Sequence, residues 1–149
     1  MTGIVNLQNF DLTLTSAQFG SFTLRNYGEN GVSAEIEALD TKLNNHKLGA
    51  LGDILINKNL KGKNKLLRIR VLRNTADYAR MQAIIAAEEA GQSIQLVVSA
   101  KDSQTKESYT SPAGYMEEIP NFQTGSDVDG DVEYTIILTQ VVHIPPTIN

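Results

Sequence analysis

The feature that most constrains the fold is an alternation of apolar and polar residues with a period of two. In the first run, Phe10, Leu12 and Leu14 alternate with polar residues. A strand that buries one face shows this period, because successive side chains point to opposite faces. The alternation recurs at residues 21–25, 32–38, 66–72, 94–101 and 132–144, the last run being broken by Gln140. A chain patterned in this way is predicted to be mainly β.

Turn residues indicate how some of these strands connect. The Gly-Glu-Asn-Gly sequence at 28–31 predicts a hairpin between the runs at 21–25 and 32–38. A polar turn at 102–104 predicts a second hairpin, whose second strand lies near 106–110. Both hairpins place every second residue on one core.

One segment has helical spacing instead. Thr75 supplies a capping side chain, Gly91 a stop signal, and the apolar residues between them recur every three or four positions. The spacing predicts one α-helix at about 75–90. Strands on both sides of a single helix favour a β-barrel or a two-sheet β-sandwich with the helix packed on its side.

Size and composition bound the possible functions. A chain of 149 residues and 16.3 kDa is expected to fold as a single domain, 1–149. The absence of cysteine excludes disulfides, thiol catalysis and thiolate metal sites, and two histidines are too few for a structural zinc site. No window is apolar enough for a membrane span and no signal peptide is visible, so we expect synthesis in a cytosol.

A long loop is predicted at about 40–62. Its leucines are scattered among polar and flexible residues, and connections of this length in a compact domain are usually functional or mobile. An alternative interpretation is that residues 54–56, Ile-Leu-Ile, form another short strand and the remainder an ordinary loop. Loop length alone does not separate the two.

Charge is distributed unevenly along this acidic chain, whose net charge is −4. Residues 61–73 hold six bases and no acid, whereas residues 74–149 hold three bases and eleven acids. The basic segment is a candidate for phosphate contacts. It contains no aromatic residue for stacking and the overall pI is 5.1, so a solvated or intersubunit strand is the favoured interpretation.

Catalytic and metal-binding patterns are weak. The acidic run 127–131 supplies oxygen ligands of the kind calcium prefers, but its glycine is misplaced for an EF-hand, and a turn before a strand explains it better. His46 and His143 lie in no catalytic motif, and we interpret them as a loop and a polar-face residue. We therefore predict a protein that is not an enzyme and needs no cofactor or metal.

The order of elements resembles the tail tube proteins of tailed bacteriophages, especially the short tubes of contractile tails and related phage-tail-like particles. The likeness lies in the order of strands, the loop at 40–62 and the helix. It also lies in the strand that leads into this helix at 66–81, LLRIRVLRNTADYARM, and in the final strand, DVEYTIIL. It covers most of the chain and is one of layout, without a diagnostic motif.

The resemblance implies a structural virion protein, made in the host cytoplasm, whose hexameric rings stack into a hollow conduit for DNA. It implies contacts with its own copies and with sheath, completion or baseplate proteins, no membrane segment, and DNA only in transit. The loop would join neighbouring rings through Leu43, His46, Leu48 and Leu51. A basic strand would face a neighbour, the sheath or an acidic strand through Lys63, Lys65, Arg68 and Arg70.

Two alternatives accompany this interpretation. The tube protein of a bacterial secretion or phage-derived injection system would form comparable rings. A small β-barrel that binds a ligand or carbohydrate would instead be a monomer with a deep pocket.

Overall fold

The computed structural model describes residues 4–6, 10–24, 33–39, 44–58, 63–72, 75–118, 121–122 and 131–147. The strands within these residues are β1 (Ile4–Asn6), β2 (Asp11–Ser16), β3 (Gly20–Leu24), β4 (Ser33–Ala38), β5 (Asn44–Leu48), β6 (Ile54–Lys58), β7 (Lys65–Leu72), β8 (Leu96–Lys101), β9 (Ser108–Met116), β10 (Asn121–Phe122), β11 (Asp131–Thr139) and β12 (Val142–Ile144). The helix α1 spans Ala76–Glu89.

Ten of these strands form one antiparallel sheet. Its main path runs β1-β4-β7-β11-β9-β8-β2-β3, with β10 added to β11 and β12 added to β9. Within the described residues the end strands β1 and β3 do not pair with each other, so the sheet is open. The prediction of a mainly β fold with one helix is confirmed. Because the sheet does not close, the architecture is consistent with a sandwich.

The predicted alternation places the core on one face of β2, β3, β4, β7, β8 and β11. In the β2–β3 hairpin, Leu12 lies opposite Leu24 and both side chains are fully buried. Between such pairs Thr13 lies opposite Thr23 on the other face, with their hydroxyl oxygens 3.2 Å apart. Strands β4, β7 and β11 bury the residues of one parity in the same core.

The helix covers this core with one face. It begins after Thr75, whose Oγ1 accepts a hydrogen bond from the backbone N–H of Tyr78 at 3.2 Å. Met81, Ile84 and Ile85 are its buried residues. Next to them the hydroxyl of the buried Tyr134 donates to Gln82 Oε1 at 3.1 Å, which joins the helix to β11. The predicted bounds, 75–90, are correct to within one residue at each end.

The predicted hairpin between 21–25 and 32–38 is wrong. β3 pairs with β2 through a turn at 17–19, whereas β4 pairs with β1 and β7 near the other end of the sheet. The turn sequence at 28–31 lies outside the described residues. The turn sequence therefore lies between β3 and β4, two strands that pair with other strands and not with each other.

The final run is also not a single strand. Gln140 adopts a positive φ of 50°, and β11 ends just before it. Beyond the break the buried residue is Val141, while Val142 and Ile144 are exposed. The predicted burial of Val142 and Ile144 is therefore wrong. The partner strand expected near 106–110 exists as β9, and it extends to Met116.

Candidate functional site

The segment predicted as a long loop contains a β-hairpin that stands apart from the main sheet. β5 and β6 form their own two-stranded sheet, with Leu48 opposite Ile54 as the last pair before the turn. In the turn the backbone N–H of Gly49 donates to the Asp53 carbonyl at 2.6 Å. Gly52 has a φ of +87°, a conformation that favours glycine. The strand interpretation of 54–56 is therefore correct, and β5 is its partner.

One face of this hairpin is apolar and exposed. Directly opposite residues share a face, so His46 and Ile56 lie on the same side as Leu48 and Ile54. Leu48, Ile54 and Ile56 are 69%, 60% and 68% exposed, and Leu51 at the turn is 92% exposed. Of the hairpin residues whose exposure is described, at 46–54 and 56, none is buried.

Exposure of these aliphatic side chains to water is energetically unfavourable. Burying an aliphatic side chain of this size stabilises a structure by about 1.5–3 kcal/mol. An isolated two-stranded hairpin is also only marginally stable in water. A projecting apolar hairpin is therefore typical of a surface that a partner covers.

The hairpin contains three of the four residues predicted for this surface. His46, Leu48 and Leu51 are all exposed, while Leu43 lies outside the described residues. Sequence reasoning missed Ile54 and Ile56 as members of the surface. Their alternation was visible, but only the register with β5 places them on the same face as Leu48.

The basic strand β7 lies between two strands that carry carboxylates. Its Arg68 is directly opposite Glu35 of β4, and its Arg70 is directly opposite Glu133 of β11. Arg68 Nη1 lies 2.6 Å from Glu37 Oε2 and 3.3 Å from Glu35 Oε1. Arg70 Nε lies 3.3 Å from Glu133 Oε2. Both arginines thus form ion pairs on the outer face of their own sheet.

Arg68 is the more enclosed of the two arginines. Its side chain is 33% exposed, against 54% for Arg70. Burial alone would lower the pKa of Arg68, but the adjacent carboxylates of Glu37 and Glu35 raise it above the ordinary value. The positive charge of Arg68 is therefore paired with Glu35 and Glu37 of the same chain. This pairing favours a structural role for Arg68 over phosphate binding. Lys63 is exposed, and Lys65 is partly buried at the start of β7.

A further polar cluster lies where β9 and β12 pair. The Tyr109 hydroxyl donates to Glu107 Oε1 at 3.2 Å, and His143 Nε2 lies 3.0 Å from the same oxygen. The rings of Tyr109 and His143 stack with centroids 4.3 Å apart. Burial, assisted by the Glu107 carboxylate, raises the pKa of Tyr109 to about 12. The cluster fixes β12 against β9, which explains His143 without a catalytic role.

The acidic run 127–131 lies outside the described residues, except that Asp131 begins β11. Within the part of the chain that is described, no group of three or more histidine, aspartate and glutamate side chains is arranged to hold a metal ion. In the same residues, no helix has the length and apolar character needed to cross a membrane.

Comparison of the chain with protein-family models gives no match, and comparison with curated proteins gives none either.

Proposed function

We propose that this protein is a structural subunit that assembles with copies of itself, in the manner of the tail tube proteins that it resembles. The observation that carries the proposal is the β5–β6 hairpin, which presents Leu48, Ile54 and Ile56 to solvent on one face. In this proposal the hairpin of one subunit packs on a subunit of the next ring. Each subunit then has an apolar surface that only assembly buries.

The open sheet supports the same proposal. Strands at the edge of a sheet carry unpaired backbone groups, and natural proteins protect such edges or pair them. β1 and β3 are different strands, so contact between the edge of one copy and the other edge of the next is heterologous. Heterologous contacts generate rings or filaments.

A stacked-ring tube would act as a conduit in the virion tail, with DNA present only in transit and sheath or baseplate proteins as outer partners. The net charge of −4 suits a conduit that does not retain DNA. In this arrangement Arg68 and Arg70 remain paired with Glu37, Glu35 and Glu133. Their charges then do not hold the DNA.

The test compares the wild-type chain with a double variant, Leu48→Asp with Ile56→Asp. Light scattering over a concentration series measures mass, and negative-stain electron microscopy of the same fractions shows shape. We expect rings or tubes for the wild type, and at most single rings for the variant, because charges on the apolar face oppose its burial. Circular dichroism checks that the variant keeps its fold.

The matched control is Ser103→Asp with Gln104→Asp. It adds the same two charges at another exposed turn, which connects β8 and β9. The control should assemble as the wild type does. Equal assembly of all three proteins would remove the hairpin from the mechanism, and monomers of 16.3 kDa at every concentration would contradict the proposal and favour a ligand-binding module.

A further inference from the structure

A row of hydroxyl groups crosses four strands on the outward face of the sheet. Thr13 of β2 lies directly opposite both Thr23 of β3 and Ser99 of β8. Ser99 in turn lies directly opposite Thr110 of β9. Directly opposite residues share a face, so these four side chains form one row. With an opposed pair from the β2–β3 hairpin, the set that we call the hydroxyl face is Thr13, Thr15, Ser21, Thr23, Ser99 and Thr110.

The hydroxyl face is turned away from the core and is nearly neutral. The residues that alternate with it in β2, Leu12 and Leu14, are fully buried. Its hydroxyl groups contact one another across the β2–β3 hairpin at 3.1 and 3.2 Å. Among the described residues on this side of β2, β3 and β8, the charged ones are Asp11 and Lys101, which lie directly opposite each other at one margin. Their charges are of opposite sign, so the face has no net charge.

The composition of the hydroxyl face is unlike that of a protein interface. The residues that contribute most to binding between proteins are enriched in tryptophan, tyrosine and arginine, whereas serine and threonine are under-represented among them. None of the six residues of the hydroxyl face is aromatic or cationic. We therefore expect assembly to leave this face in water, unlike the apolar face of the β5–β6 hairpin.

The other half of the outward face carries full charges. On β4, β7 and β11 it holds Arg68 and Arg70 with the carboxylates that pair with them. Lysine and arginine side chains retain DNA because they neutralise phosphates and release counterions. Hydroxyl groups donate hydrogen bonds to phosphate oxygens but carry no charge. A surface of serine and threonine therefore permits weak contact with DNA of any sequence, and the contact breaks easily.

We infer that the hydroxyl face lines the conduit of the assembled tube, where its partner is the phosphate backbone of DNA in transit. This inference rests on the proposed function and identifies the surface of the subunit that meets the DNA. The charged half of the outward face, on β4, β7 and β11, is then directed away from the conduit. DNA passes a hydroxyl lining without being retained, because the lining offers no net positive charge.

The chain has no cysteine, so a single introduced thiol reports where the hydroxyl face lies in an assembly. The test variant is Thr110→Cys, at an exposed position. Assembled tubes are treated either with N-ethylmaleimide or with a maleimide coupled to a globular protein wider than the conduit. We expect the small reagent, followed by mass spectrometry, to modify the thiol in tubes as it does in isolated subunits. Modification by the protein-linked reagent, followed by gel shift, should fall in tubes to the level of the cysteine-free wild type.

The matched control is Thr135→Cys, the same substitution at a position of β11 directly opposite Arg68. In tubes this thiol should react with both reagents. Reaction of Thr110→Cys with the protein-linked reagent would place the hydroxyl face on the outside of the tube, and reaction with neither reagent would place it in a contact between subunits. Either result would overturn the inference, and so would identical reactivity of the two variants.

A second variant, Thr13→Cys, reports from the same row if Thr110→Cys does not assemble. Tubes that form but fail this test leave the proposed self-assembly standing, because only the orientation of the subunit is then wrong. If the wild-type chain forms no tubes, both proposals fail.

Discussion

At the scale of single residues, the outer face of the sheet is organised by alternating charge. Arg68 contacts two carboxylates of β4, and Arg70 contacts one carboxylate of β11. Without Arg68, Glu35 and Glu37 would be two negative charges on the same face of one strand. The cost of losing Arg68 therefore includes repulsion between these acids as well as the lost ion pairs.

We predict that Arg68→Met lowers the free energy of unfolding by about 1.5 kcal/mol, because charge-assisted hydrogen bonds of partly buried groups are worth more than exposed pairs. Arg70→Met, with one exposed contact, should cost less than about 1 kcal/mol. Urea denaturation of both variants measures the difference. Equal losses would mean that Glu37 and Glu35 do not act together on Arg68.

The buried hydroxyl of Tyr109 should make the stability of the fold sensitive to high pH. Its pKa is raised to about 12, from an ordinary value of 10.0, so the folded state favours the neutral phenol. The stabilisation is complete below about pH 10 and is lost as the pH rises towards 12, because the unfolded chain ionises first. Thermal unfolding between pH 9 and 12 should therefore show a steep fall in melting temperature.

Tyr109→Phe removes this ionisation, so the melting temperature of that variant should fall less over the same range. Tyr115→Phe is the matched control, since Tyr115 lies on the same strand with its ring exposed. If both variants follow the wild-type curve, Tyr109 does not control the alkaline transition.

At the scale of elements, the break at Gln140 decides which residues of the last segment are buried. Its positive φ of 50° interrupts the alternation of β11, and beyond it Val141 is buried whereas all of β12 is exposed. The same backbone position allows the Gln140 N–H to donate to Asn64 Oδ1 at 3.3 Å. A left-handed conformation in a residue with a Cβ atom is strained.

We predict that Gln140→Gly raises the free energy of unfolding by about 0.5–1 kcal/mol, because glycine adopts this φ without a steric penalty. Chemical denaturation measures the change. Ser99→Gly in the regular strand β8 is the control, and there glycine should destabilise the protein. A loss of stability in both variants would contradict the assigned role of the break.

The location of most elements was predictable from the sequence, whereas of their pairings only the β8–β9 hairpin was predicted correctly. Strand β7 and helix α1 were correct because burial of one face imposes a local period. Pairing is set by contacts between distant residues, which is why the turn signal at 28–31 misled and the partners of β4 were missed. The same limit concealed Ile54 and Ile56 in the candidate site, although Leu48 and Leu51 were identified.

At the scale of the whole molecule, the core and the hairpin arm formed by β5 and β6 should differ in local stability. The core contains buried side chains from the helix and from seven described strands, β2, β3, β4, β7, β8, β9 and β11. The arm, β5 and β6, has backbone hydrogen bonds, and its side chains at 46–48, 54 and 56 are exposed. Regions with few buried apolar contacts open at a lower free energy than the core.

We predict that the amides of residues 44–58 exchange with deuterium early in the isolated subunit, and that those of β7 and β11 exchange last. Assembly should slow exchange in the arm selectively, because its apolar face becomes covered. Hydrogen exchange with mass spectrometry on dilute and concentrated samples measures both effects. Unchanged exchange in the arm of an assembled sample would contradict its burial.

The open sheet has a further consequence for size. Its two end strands are β1 and β3, so β1 of one copy would pair with β3 of the next, and every contact would apply the same rotation. The angle between neighbouring copies would be determined by the twist and curvature of the sheet within each copy. The number of subunits in a closed ring is then a property of how one chain bends. Substitutions that alter this curvature would change the diameter of a ring while leaving every contact chemically intact.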